Sequence, residues 1–180
     1  MQKALMIALA VAGAACSSVD TSTLLRQRRT ELEQLATAWH VAANGGVAMF
    51  CRFGPDSYRW RGTYIKRRGA QYEVTGEGVA GASLMVDTLE AAAGVAGTSA
   101  AVIQRWDAAV ERLDVYSLAT SPYANVVEVG FSNARWVLLF AVPGNDRGFE
   151  DLRQNVREHR SDTTYRVFEQ LDGRWFRAGS

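Results

Sequence analysis

From Thr23 to Ala43, apolar residues recur at helical spacing: Leu25, Leu32, Leu35, Ala36 and Trp39 fall on one face, and Arg28, Arg29, Glu31 and Glu33 fall elsewhere. Asn44-Gly45-Gly46 supplies a stop. The pattern then changes to short strand-like runs, Val47 to Phe53, Tyr58 to Arg67 and Gln71 to Thr75, parted by Gly54-Pro55-Asp56 and Arg68-Gly69-Ala70. Helical composition returns in Ala82 to Ala93. Ser99 to Leu113 is more sharply amphipathic, with Val102, Ile103, Trp106, Val110 and Leu113 as its apolar stripe and Thr98 or Ser99 as a cap.

Strand patterning resumes at Asn125 to Phe131, where Val127, Val129 and Phe131 alternate with Glu128. Ser132-Asn133 turns into Trp136 to Val142, a continuous apolar run of the kind covered on both faces of a sheet. After Pro143-Gly144-Asn145-Asp146, a short helix presents Phe149, Leu152 and Val156 to the core. Thr164 to Leu171 and Arg174 to Arg177 flank Asp172-Gly173, a hairpin signal. These elements predict a single α+β domain. Its mainly antiparallel sheet of about six or seven strands is built from hairpins, with an N-terminal helix, a mid-chain helix pair and one short late helix.

The first residues follow a different plan. Lys3 precedes an apolar run from Ala4 to Val11, which fades into Ala12-Gly13-Ala14-Ala15 and then Cys16. A charged start, a short apolar core and small residues at the end make a secretory signal. The run is shorter than the roughly 20 residues that cross a bilayer. An ordinary signal peptidase could cut after Ala14 or Ala15. Alternatively, Ala14 and Ala15 before Cys16 resemble the lipobox of bacterial lipoproteins, although Gly13 stands where that motif has a larger aliphatic residue. The resemblance implies lipid on Cys16, a membrane anchor and, because Ser17 is not aspartate, the periplasmic face of an outer membrane. On this reading residues 1–15 are the signal, 16–22 the lipidated tether and 23–180 the domain.

Loss of Lys3 leaves 19 of the 20 basic residues against 19 acidic ones, so no global field favours nucleic acid or anionic lipid. Cys51 is the only other cysteine, which excludes a disulfide framework. It reads as a small buried hydrophobe within Val47 to Cys51.

Candidate chemistry is sparse. Gly76-Glu77-Gly78-Val79-Ala80-Gly81 is a literal G-x-G-x-x-G between an expected strand and helix. The expected second parallel strand with its acidic residue is replaced by alanine-rich sequence around Ala93 to Ala101, so a flexible connection fits better than a dinucleotide site. Ser99 reads as a helix cap. His40 and His159, the only histidines, fall near helix ends. Ser99, His159 and Asp162 could compose a hydrolytic triad only if the fold brought them together. No cofactor and no metal site is expected from these spacings.

Arg52 to Arg68 holds Arg52, Arg59, Arg61, Lys66, Arg67 and Arg68 against one acid, Asp56. If Tyr58 to Arg67 is one strand, Tyr58, Trp60 and Tyr64 share a face and Arg59, Arg61 and Arg67 share the other. That arginine face, Arg59, Arg61 and Arg67, is read either as an ordinary solvated sheet face partly neutralised by Glu73 or as a site for an acidic protein partner, a lipid phosphate or an anionic glycan. The function expected is therefore a non-enzymatic adaptor or binding module in a secretion, conjugation or envelope-assembly complex. The alternatives are a binder of a small apolar ligand, with Trp39, Trp60, Trp106, Trp136 and Trp175 lining a cavity between sheet and helices, and, less favoured, a periplasmic hydrolase.

Overall fold

The structure, a computed structural model, describes residues 20–43, 48–121, 123–132, 134, 136–144, 146–158 and 166–179. The signal, Cys16, Asn44-Gly45-Gly46, His159 and Asp162 lie outside the described residues.

Its strands are β1 (Met49–Gly54), β2 (Ser57–Trp60), β3 (Thr63–Arg68), β4 (Gln71–Gly76), β5 (Leu84–Val86), β6 (Val115–Thr120), β7 (Val126–Phe131), β8 (Val137–Ala141), β9 (Arg166–Asp172) and β10 (Trp175–Gly179). They form one antiparallel sheet in the order β5-β4-β3-β2-β1-β6-β7-β8-β10-β9. The helices are α1 (Thr21–Ala43), α2 (Leu89–Val95), α3 (Ala100–Arg112) and α4 (Arg147–Glu158). The α+β class, the antiparallel sheet and the N-terminal helix agree with the pattern of the sequence.

One face of the sheet carries α1, α2 and α3. There Leu32, Trp39, Phe50, Ile65, Leu118, Leu138 and Trp175 form the main core. On the opposite face α4 packs Leu152 against Leu139, Val167 and Phe176 of the β7–β10 half. The apolar run of β8 is thus explained: Leu138 and Phe140 face α1 while Leu139 and Ala141 face α4. Each buried leucine or phenylalanine there contributes about 1.5–3 kcal/mol on burial.

Ten strands replace the seven read from the pattern, for three separate reasons. Leu84-Met85-Val86, expected as the start of a helix, pairs with β4 instead. The helix begins only after Thr88, whose hydroxyl accepts from the Ala91 amide. Val115 to Thr120 carries little alternation, yet it lies between β1 and β7 in mid-sheet. Finally, Tyr58 to Arg67 is two strands, because Arg61 takes a left-handed backbone (φ 52°) and turns the chain at Arg61-Gly62. Helix α1 also starts two residues early. Asp20 accepts from the Ser22 amide (3.0 Å), a donor that a helix start leaves open, and from the Thr23 hydroxyl (2.6 Å).

Candidate functional site

The turn at Arg61-Gly62 reorganises the arginine-rich stretch. Alternation restarts in β3, so Tyr64 joins Arg59 on the face of the sheet away from α1, α2 and α3. The Arg59 guanidinium lies 4.9 Å from the centre of the Tyr64 ring, and its Nε donates to the Arg61 carbonyl at 3.0 Å. Arg67 lies on the other side of β3 from Tyr64 and donates to Asp56 at 3.1 Å. Arg61 sits in the turn itself. Arg59, Arg61 and Arg67 therefore do not share a face, because the single strand that would have aligned them is a hairpin.

What does gather around Arg59 is aromatic. Phe53 of β1 stacks on Tyr64 at 5.8 Å and meets Tyr116 of β6 edge-on at 5.5 Å. Tyr116 reaches this side through a register shift between Val115 and Ser117. Lys66 pairs with Glu73, and Glu73 with Met85, which places Lys66 and Met85 on the same face. Whereas α4 covers the β7–β10 half, this half leaves Phe53 46%, Met85 44% and Tyr64 40% exposed. Cys51 forms part of the floor, where burial pushes its thiol up to about 11. On the helix side of the same strands, Arg52 holds Asp107 and Glu111 of α3 at 2.6 Å each. There burial, and secondarily Asp107, raises the Tyr58 hydroxyl to about 12.

A second feature lies along α1. Beyond the buried stripe, residues 30, 34, 37, 38, 41 and 42 edge an open furrow of about 670 Å³. Ala38, Val41 and Ala42 form one apolar wall, Phe140 and Pro143 the other, and Arg105 of α3 reaches its margin. Val41 is 71% exposed. Thr30, Gln34 and Thr37 are polar residues of the same lining, and so is Glu33, whose carboxylate accepts from Arg29 at 2.8 Å and from the Trp175 indole at 3.4 Å.

No family model, no curated protein and no solved structure matches this chain.

The remaining expected residues resolve as follows. Ser99 caps α3, its hydroxyl accepting from the Val102 amide at 3.3 Å. The glycine motif joins β4 to β5, strand to strand, without the helix start that would hold a pyrophosphate. Gly76 is required where it stands: its backbone is left-handed (φ 99°), and a Cβ would meet the Gly62 carbonyl oxygen at 2.3 Å. The tryptophans serve packing. Trp39 meets Trp106 edge-on at 5.0 Å and Trp60 at 6.0 Å, while Trp175 lies 4.7 Å from Phe140. None of the five lines the furrow. Among the described residues no group of three or more His, Cys, Asp or Glu is placed to hold a metal, and no helix is long and apolar enough to cross a membrane.

Sequence reasoning did not find the Phe53–Tyr64–Tyr116 cluster or the furrow. The usable signals were Arg61-Gly62, a turn dipeptide inside an apparent strand, and Val41, an apolar residue outside the buried stripe of α1.

Proposed function

We propose that this protein is an envelope lipoprotein, anchored through lipid on Cys16 at the periplasmic face of an outer membrane. Its domain acts as a non-enzymatic adaptor by holding an apolar segment of a partner protein within a secretion, conjugation or envelope-assembly complex. The observation that carries the reading is the furrow beside α1. Its small apolar wall residues sit at helical spacing, which suits an amphipathic helix laid alongside. Burying the exposed part of Val41 there would contribute about 1 kcal/mol. Arg105 at the margin adds charge that selects an acidic partner segment. Arg61 follows Trp60, which packs on Trp39, and so lies at the same end of the sheet as the last turns of α1.

The test is crosslinking in cells followed by gentle solubilisation and identification of what travels with the protein. A stoichiometric partner is expected. It should be lost with Cys16→Ala and weakened several-fold by Val41→Asp or Arg61→Glu, without change in thermal unfolding. Undiminished capture by a folded Val41→Asp variant removes the furrow from the account.

A second reading is favoured by the furrow's volume, which falls in the range of roughly 300–1,000 Å³ typical of small-ligand sites. In it, the occupant is a small amphipathic molecule with its charged end toward Arg105. Organic extraction of the purified protein that releases an amphiphile, in the absence of a protein partner, would shift the conclusion to this reading.

A further inference from the structure

The aromatic sheet face and the start of α1 lie at one end of the molecule. Leu24, in the first turn of α1, lines a cavity with Arg52, Val115 and Phe131. Arg28 donates to the Arg112 carbonyl at the close of α3 at 2.7 Å. Phe53 directly follows Arg52, and Tyr116 directly follows Val115, both turned to the far side of the sheet. The chain therefore enters the domain at the end of β1 and β6 where the Phe53–Tyr116 pair sits. Cys16 precedes Asp20 by four residues, a length that spans at most about 14 Å. An acyl chain on Cys16 would hold that end of the domain against the bilayer.

We infer that the face formed by Phe53, Tyr64, Tyr116 and Met85, with Arg59 and Lys66 among them, rests in the headgroup region of the membrane that carries the anchor. This rests on the lipid-anchor reading above. The chemistry matches the position. Amphipathic aromatic rings settle at the membrane–water boundary, and Phe and Met bury apolar area just below it. Lysine and arginine interleaved with them meet lipid phosphates, keeping stems in apolar surroundings and charge outward. Of the acids near this face, Glu73 is engaged by Arg68 at 2.9 Å, Glu128 is part-buried beside Cys51, and Glu77 shares a pocket with Arg59 and Arg61; Lys66 and the Arg59 guanidinium on Tyr64 supply the cationic contacts. Helix α1 packs on the opposite face of the sheet, so this orientation turns the furrow toward the periplasm, open to a partner. Contact made in this way adds a second attachment to the acyl chain and fixes the orientation of the domain.

The experiment uses the full chain purified from membranes and reconstituted into vesicles of phosphatidylethanolamine and phosphatidylglycerol. A nitroxide is attached through Met85→Cys or Ser57→Cys on the sheet face, and through Val41→Cys on the furrow as the control. Cys51 is buried, at 6% exposure, and does not compete for label. Intact mass reports whether Cys16 is acylated. On binding vesicles, the labels at 85 and 57 are expected to gain oxygen accessibility and lose accessibility to a water-soluble nickel chelate by several-fold, while the label at 41 stays aqueous. Phe53→Ser with Tyr64→Ser, at exposed positions, should reduce that change. An acylated protein whose labels at 85 and 57 match the label at 41 overturns the inference and leaves the anchor standing. That result is also expected if this face binds a protein or a second copy. An unacylated Cys16 overturns the anchor and this inference with it.

Discussion

At the scale of single residues, three side chains have roles that only their neighbours define. Ser99 begins α3 by accepting the Val102 amide. Ser99→Ala is expected to cost about 1 kcal/mol in urea unfolding, as for a lost helix cap, and Ser99→Asp to restore most of it. Arg52 bridges β1 to Asp107 and Glu111 with about a fifth of its side chain exposed. Arg52→Ala leaves Asp107 half-buried without its guanidinium, so a loss of about 2 kcal/mol is expected by the same measurement. Cys51 is the pH-dependent case. Burial raises its thiol from 9.0 to about 11, so in the unfolded chain it ionises first. The associated stability is full below about pH 9 and is lost as pH rises through about 11. A thiol reagent at pH 8 should therefore react slowly with native protein and fast in urea. Equal rates would show that the thiol is not held in the sheet floor.

At the scale of elements, close approach of backbone decides geometry. Gly148 lies in the first turn of α4, where a Cβ would sit 1.9 Å from the Ala124 carbonyl oxygen and 2.9 Å from Val126 Cγ2. The helix can settle on the β7–β10 half only with glycine there. Gly148→Ala is expected to destabilise the domain by about 1–3 kcal/mol, as overpacking does, visible as a lower melting temperature. The start of α1 offers a second test. Hydrogen bonds from the Thr23 hydroxyl and the Ser22 amide hold the Asp20 carboxyl below its ordinary value. Its capping contribution is present above the ordinary aspartate range and is lost as pH falls through the lowered value. Amide exchange in the first turn of α1 should therefore quicken on acidification, and Asp20→Ala should remove that pH dependence.

Among the described residues, the sheet is sheathed on one face by three helices and on the other along the β7–β10 half. Trp39 joins these layers by meeting Trp60 and Trp106 edge-on at 1% exposure. Trp39→Ala is expected to cost about 3–5 kcal/mol, measured by denaturant unfolding. The two candidate surfaces follow from the same asymmetry. The uncovered half presents aromatic and cationic side chains, and the helix-covered face carries the furrow.

What the sequence determined by itself are the features with local causes. Alternation and helical spacing select α+β, hairpin turns such as Asp172-Gly173 make the sheet antiparallel, and Ser99 marks the start of α3 because capping is a contact between near neighbours. Tertiary structure alone decided the rest. Val115 to Thr120 becomes a mid-sheet strand through partners in β1 and β7 far along the chain, which its own weak pattern does not encode. The arginines and aromatics of Arg52 to Arg68 were assigned to faces by period two, but one left-handed residue, Arg61, resets that period and exchanges their sides. Phe53, Tyr64 and Tyr116 come from three strands, and α1, α3 and β8 meet at the furrow. Those surfaces exist only after distant segments pair, and no window of sequence contains them.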